Sequence, residues 1–210
     1  MSRIALLLCL VLLFGCSPKI IPRQVAGGIV DLAKGSQQID KNGVAMSVHM
    51  QDLYYAPYRQ VDNITSFYFE VRNNTVAPWS FPFDRVHLVA TDGRQFSTIT
   101  PAQVKEMVSR DLPYLVPYPY VGYYYLEDAQ RGSHFNTFTS DLPYYAANHP
   151  QDIFTQALST EPVGPGNRIS GLVYFVCDLT DMTAFEVRVD LPGSDTTSDN
   201  RFVFPFIVDK

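Results

Sequence analysis

Apolar and polar residues alternate with a period of two over much of the chain. In ITSFYFEVRNN, Thr65, Phe67, Phe69 and Val71 alternate with Ser66, Tyr68, Glu70 and Arg72, the mark of a strand with one buried face. Asn73-Asn74 then supplies a turn. In DRVHLVATDGRQFSTI, Val86, Leu88 and Ala90 share a face, and Asp92-Gly93 separates them from a returning run that carries Phe96, which predicts a hairpin. The pattern resumes downstream. NRISGLVYFVCDL is β-branched and aromatic, Phe185, Val187 and Val189 alternate with Glu186, Arg188 and Asp190, and Phe202, Phe204 and Phe206 line one face of the final run. Pro205 has no backbone donor, so the last strand is expected at a sheet edge or with a bulge. Turn signals separate these runs and no βαβ alternation occurs, which predicts an all-β antiparallel sandwich.

The regularity breaks between residues 101 and 166. Thr100 and Pro101 offer an N-cap and a first-turn proline for a short helix whose apolar face is Ala102, Val104 and Met107 or Val108. A second helix is expected near residues 151–158, and a Pro/Gly-rich return leads back to the β pattern. Between them lies YLVPYPYVGYYYLED, which holds six of the chain's 13 tyrosines. Interruptions of this length are functional or disordered, and this one is too aromatic for disorder. Tyr118, Tyr120, Tyr123, Tyr124 and Tyr125 have three open uses. They can pack the end of the sandwich with their hydroxyls wet, bind a protein or glycan partner, or rest in a membrane interface.

The N-terminal pattern differs again. Arg3 precedes an unbroken apolar run from Ile4 to Phe14. That is too short for the ~20 residues a membrane span needs, so it reads as the h-region of a secretory signal. Leu13-Phe14-Gly15-Cys16 resembles the lipobox of bacterial lipoproteins. The resemblance implies cleavage after residue 15 and lipidation of Cys16, and several acyl chains on one cysteine anchor a protein firmly. Ser17 at the second mature position, by resemblance to enterobacterial lipoproteins, implies the outer membrane. Residues 16–28 then read as a tether rich in Pro and Gly, and residues 29–210 as the domain with its insertion at 101–166. The runs FYFEVRNNTVAPWSFPFDRVHLVATDGRQFSTITP and ISGLVYFVCD resemble the immunoglobulin-like domains of bacterial envelope lipoproteins and secreted proteins. In those domains a strand ends in Asn at a turn, two strands meet at Asp-Gly, and a Gly-x-Val/Leu-x-Phe strand follows. The implied fold is an immunoglobulin-like antiparallel β-sandwich with a long, partly helical, aromatic-rich insertion, located outside the cytoplasm.

Composition narrows the function by exclusion. The chain is 46% hydrophobic and 18% charged with a net charge of −5 and no basic run, so no phosphate-neutralising patch for nucleic acid is visible. Cys9 lies in the signal and Cys16 in the lipobox, which leaves Cys177, in an apolar run, as a buried inert thiol. His49, His87, His134 and His149 form no metal-binding spacing. A copper site from His49, Met46 and Met50 is disfavoured because a strand turns His49 away from the methionines. DLPY occurs at Asp111–Tyr114 and again at Asp141–Tyr144, where turn capping is favoured over a glycosidase carboxylate pair. No nucleophile elbow, EF-hand loop or phosphate loop is present. The expectation is a non-enzymatic, lipid-anchored module on the periplasmic face of the outer membrane. It needs no cofactor or metal and binds or scaffolds an envelope protein or glycan. The alternatives are an envelope hydrolase with Asp111, Asp141, His134 or His149 in the insertion, and a metal-handling lipoprotein.

Overall fold

Phenylalanine, valine and leucine at every second position commit each strand to one buried face, and a sheet that buries one face must close against itself or a second layer. A computed structural model describes residues 19–53, 63–109, 114–117, 124–127, 153–191 and 200–210. Its elements in chain order are β1 (Lys19–Pro22), β2 (Gly28–Asp31), β3 (Ser36–Lys41), β4 (Val44–Met50), β5 (Ile64–Asn73), β6 (Val86–Ala90), β7 (Gln95–Ile99), α1 (Pro101–Ser109), β8 (Tyr114–Pro117), β9 (Tyr124–Glu127), α2 (Ile153–Gln156), β10 (Arg168–Val176), β11 (Ala184–Asp190) and β12 (Arg201–Asp209). The fold is all-β. Ten strands form one antiparallel sheet in the order β1-β12-β11-β6-β7-β10-β5-β4-β3-β2, nearly closed into a barrel. β7 links the halves, pairing β6 on one side and β10 on the other.

The inner faces share one core. Phe67 of β5 meets Phe185 of β11 at 5.7 Å and Phe206 of β12 at 5.6 Å between ring centroids. The alternation read from β5, β6, β11 and β12 is the alternation observed: Phe67, Phe69, Val71, Val86, Leu88, Phe185, Val187, Val189, Phe202, Phe204 and Phe206 are all buried. The Asp92-Gly93 hairpin joins β6 to β7 as expected.

β10 breaks the alternation because both of its faces are covered. Val173 and Phe175 point into the main core, while Leu172 and Tyr174 join Val104 of α1 and Ile153 of α2 in a second cluster on the outer face. The insertion therefore begins and ends as a cover on the sheet. α1 starts as its sequence predicts. The Thr100 hydroxyl accepts from the Gln103 amide at 3.3 Å and the Gln103 side chain accepts from the Thr100 amide at 2.8 Å, a reciprocal capping box. α2 falls inside the predicted 151–158 stretch, and Ile153's carbonyl accepts the Tyr174 hydroxyl at 3.0 Å.

Two sequence readings change. Residues 16–28 were expected to be a tether, but the chain enters the sheet at Lys19, and β1 pairs with β12 from Lys19↔Asp209 to Pro22↔Phe206. The prolines and glycines suggested a linker, while Lys19-Ile20-Ile21 supplies the β-branched run of an edge strand, where a terminal proline costs no ladder bond. Pro205 lies neither in an edge strand nor at a bulge: β12 is flanked by β1 and β11 in unbroken register. It fits because β1 ends at Pro22. The Arg23 amide still donates to the Pro205 carbonyl at 2.9 Å, and the Arg23 carbonyl, which a donor at 205 would have served, accepts the buried Gln37 side-chain amide from β3 instead.

Strand direction sorts the connections. The Lys19 end of the sheet carries the start of β1, the 32–35 turn, the 91–94 turn, the 177–183 loop and the C-terminus; the Asn73 end carries the 42–43 turn and the 74–82 and 162–167 loops. Gly171 allows the chain at 157–158 to run close beside β10, where Leu158 donates to the Leu172 carbonyl. A Cβ on Gly171 would lie 2.5 Å from the Leu158 nitrogen and 2.6 Å from the Ala157 carbonyl carbon. Gly171→Ala is therefore expected to destabilise by about 1–3 kcal/mol, read by urea unfolding; an unchanged midpoint would show that the crossing is not this tight.

Candidate functional site

Along the outer face of β3, β4, the second half of β5 and the start of β10 the positions are mostly small, polar or charged, giving way to Tyr68 and Leu172 at the second cluster, and antiparallel pairing sets them in rows. One row runs Ser36, His49, Tyr68, Leu172; the next runs Gln38, Ser47, Glu70, Ser170; a third brings Ala45, Arg72 and Arg168 side by side. Short side chains at 36, 45 and 47 leave a floor that taller neighbours flank. Among the described residues the result is an open trough of two adjoining cavities. One of about 700 Å³ lies over β2 to β5, and one of about 640 Å³ lies between β5, β10 and the 162–167 turn; they share Glu70 and Arg72.

Charge in the trough is patterned. Arg72 and Arg168 stand directly opposite across the β5–β10 pair, an arrangement of like charges that destabilises a sheet. Glu70 offsets it, 3.5 Å from Arg168, though both side chains are largely in solvent, where such a pair contributes little. Burial holds the His49 imidazole below its ordinary pKa, partly offset by a hydrogen bond with Gln51. Its ring packs on Tyr68 with centroids 5.1 Å apart.

Asn73 builds the wall at one end. It is fully buried and its amide donates to the carbonyls of Ala77 and Val163, both at 2.8 Å, while its oxygen accepts from the Thr75 amide and hydroxyl. Its backbone adds bonds to Gly166 and Asn167. One side chain thus folds the 74–79 loop and fixes the 162–167 turn against it.

Asp31, Ser36 and His49 are cross-strand neighbours, but a hydrolytic triad needs the imidazole between carboxylate and hydroxyl, and here the serine is central. Asp31 is also occupied, accepting the amides of Ala33 and Lys34. The His49–methionine set is not brought together: Met46 is fully buried in the core, and β4 turns His49 to the opposite face. His87 lies on an outer face but is half-buried. Cys177 is buried, and desolvation pushes its thiol pKa up, which suits an inert thiol.

The remaining sequence candidates are placed less fully. β8 and β9 form a two-stranded antiparallel sheet separate from the ten-stranded one, pairing Tyr114↔Glu127 through Pro117↔Tyr124, so Tyr124 and Tyr125 are placed by backbone. Cys16, Tyr118, Tyr120, Tyr123, Asp111, Asp141, His134 and His149 lie outside the described residues. Sequence reasoning missed the Glu70, Arg72, Arg168 group. The polar face of β5 was visible, but its meeting with a residue nearly a hundred positions away depends on strand pairing.

No family model matches the chain, and no curated protein matches it. Among solved structures it is similar to a protein of Bacillus subtilis subsp. subtilis str. 168 assigned as a lipoprotein (ycdA), at 10% identity and a TM-score of 0.43, over 81% of this chain and 38% of that one. It is also similar to a protein of unknown function from Listeria monocytogenes EGD-e, at 12% identity and a TM-score of 0.37, over 82% of this chain and 81% of that one. The chain thus spans well under half of the Bacillus protein. Neither likeness bears on function.

Asn73→Asp replaces two donors by a carboxylate facing two carbonyls. It is expected to cost about 3 kcal/mol or more and to open the 162–167 turn to protease, whereas Asn74→Asp, at an exposed neighbour, leaves both unchanged. Equal behaviour of the two variants would remove Asn73 from this role.

Proposed function

We propose that the protein is a lipid-anchored envelope protein that binds or scaffolds another envelope component without catalysing a reaction. The observation that carries this reading is the open polar trough over β2–β5 and β10. It offers Gln38, Ser47, Glu70, Arg72 and Arg168 to a partner across adjoining cavities, and its Asp31–Ser36–His49 row is in the wrong order for hydrolysis. Open, polar, hydrogen-bonding surfaces suit glycan or protein segments; enzymes concentrate their chemistry in enclosed pockets.

The anchor rests on Leu13-Phe14-Gly15-Cys16 and the apolar run before it. Ser17 supports an outer-membrane, periplasm-facing location. The immunoglobulin-like reading of the fold is supported by the two halves of the sheet, which share a single aromatic core, and by the Asn73 turn and the Asp92-Gly93 hairpin. Tyr118, Tyr120, Tyr123, Tyr124 and Tyr125, in the aromatic-rich stretch of the insertion, supply a second contact surface for such a partner.

Cys16→Ser is expected to move the protein from the membrane to the soluble or unprocessed fraction; an unchanged membrane fraction rejects lipidation at Cys16. Crosslinking and pull-down from membranes then compares wild type with Arg72→Glu/Arg168→Glu and with Tyr123/Tyr124/Tyr125→Ser. Loss of the crosslinked species in either variant assigns its surface, and retention in both rejects the binding reading.

A further inference from the structure

We infer that the Lys19 end of the sheet lies against the lipid surface and that the Asn73 end, with the 162–167 wall of the trough, points away from it. The inference rests on the proposal that Cys16 carries the lipid. Only Ser17 and Pro18 separate that cysteine from β1. A fully extended chain covers ~3.3–3.6 Å per residue, so Cys16 reaches Lys19 over at most ~11 Å. A tether this short cannot pass around a folded domain. Whatever surrounds the first residue of β1 must therefore sit at the headgroups.

Strand register says what surrounds it. Lys19 pairs with Asp209 at the end of β12. β3 lies across from β12, with Gln37 bonded to the carbonyl opposite Pro205 and Lys41 donating to the carbonyl of Arg201 at 2.9 Å. Following both strands back toward Lys19 sets the 32–35 turn level with residues 207–209. At the tip of that turn Leu32 is 68% exposed, an apolar side chain with no role in the core. Charges at this end are mixed and on balance acidic, with Lys19, Lys34, Arg94 and Lys210 against Asp31, Asp92, Asp178, Asp181 and Asp209. The tether holds the end in place and Leu32 adds apolar contact; a basic patch for anionic lipid is not required.

The opposite end is a strand length away. β5 runs from Ile64 at the lipid side to Asn73, ten residues of ~3.3 Å each. Arg72, Arg168 and the 162–167 turn are therefore ~30 Å from the headgroups, open to a partner in the aqueous space.

The test uses the lipidated protein in vesicles of phosphatidylethanolamine and phosphatidylglycerol that contain a nitroxide-labelled headgroup. Cys177 is buried and Cys16 is consumed by the lipid, so Lys34→Cys and Val76→Cys, at exposed positions on opposite ends, each accept one fluorophore. Several-fold stronger quenching at 34 than at 76 is expected. Proteins that float with the vesicles but quench equally at both sites, or more at 76, overturn the orientation alone. Wild-type protein that fails to float overturns the anchor and the orientation together. Twenty Gly/Ser residues inserted between Pro18 and Lys19 should keep flotation and collapse the difference, since such a linker has an r.m.s. reach of ~25 Å; a difference that survives the linker overturns the short tether as its cause.

Discussion

The contact of Phe67 with Phe185 and Phe206 sets the spacing of the two halves of the sheet. Phe67 comes from β5 and its partners from β11 and β12, strands that share no hydrogen bond with β5. Ring-to-ring packing of this kind adds to the area it buries, and it requires the inner faces to be apolar at alternate positions along every strand. The polar outer rows follow from the same constraint. Once Phe67, Phe69 and Val71 point inward, Glu70 and Arg72 must point outward, so the trough is the reverse side of the core.

How much was legible follows from which strands bury one face. β5, β6, β11 and β12 each turn one apolar face to the core, so period two exposed them in the sequence and the apolar residues read onto those faces are buried, while Ser66, on the other side of β5, is buried without an apolar signal. β10 carries apolar residues on both faces because α1 and α2 cover its outer side, and a continuous run such as GLVYFV does not say which residue faces which layer. β1 was lost for a different reason. Its prolines and the glycines that follow read as a tether, and only pairing with β12 makes it a strand. Gln37 illustrates the limit: a glutamine in the core has no apolar signature, and its place depends on the donor that Pro205 lacks.

The trough was illegible for a topological reason. Asn73 was visible as a turn residue, because Asn at the end of an alternating run has a known use. That its side chain would also hold the carbonyl of Val163 was not, nor that Arg168 would face Arg72. Both depend on β10 returning beside β5 after the long insertion. The insertion thus separates the two sides of the trough in sequence while the β5–β10 ladder and Asn73 hold them together in space. A surface whose sides come from stretches so far apart in the chain leaves no local motif.

With the lipid on Cys16, as proposed, the route from anchor to body is short and passes through β1. Four ladder residues join β1 to β12, few for a strand that, under the proposed lipidation of Cys16, would carry the load between a membrane and a domain. The attachment does not stop at Pro22. The Arg23 amide bonds to Pro205, the Arg23 carbonyl bonds to Gln37, and Gln24 donates to the Gly28 carbonyl at 2.5 Å. The first bond continues the β12 ladder, the second ties the same residue to β3, and the third closes the turn into β2. A pull on residue 19 directed along the strand loads these bonds in shear, so they share it. The near-closure of the barrel at Arg23 is thereby the feature that lets so short an entering strand serve as an attachment point, with Gln37 as its second hold on the body of the sheet.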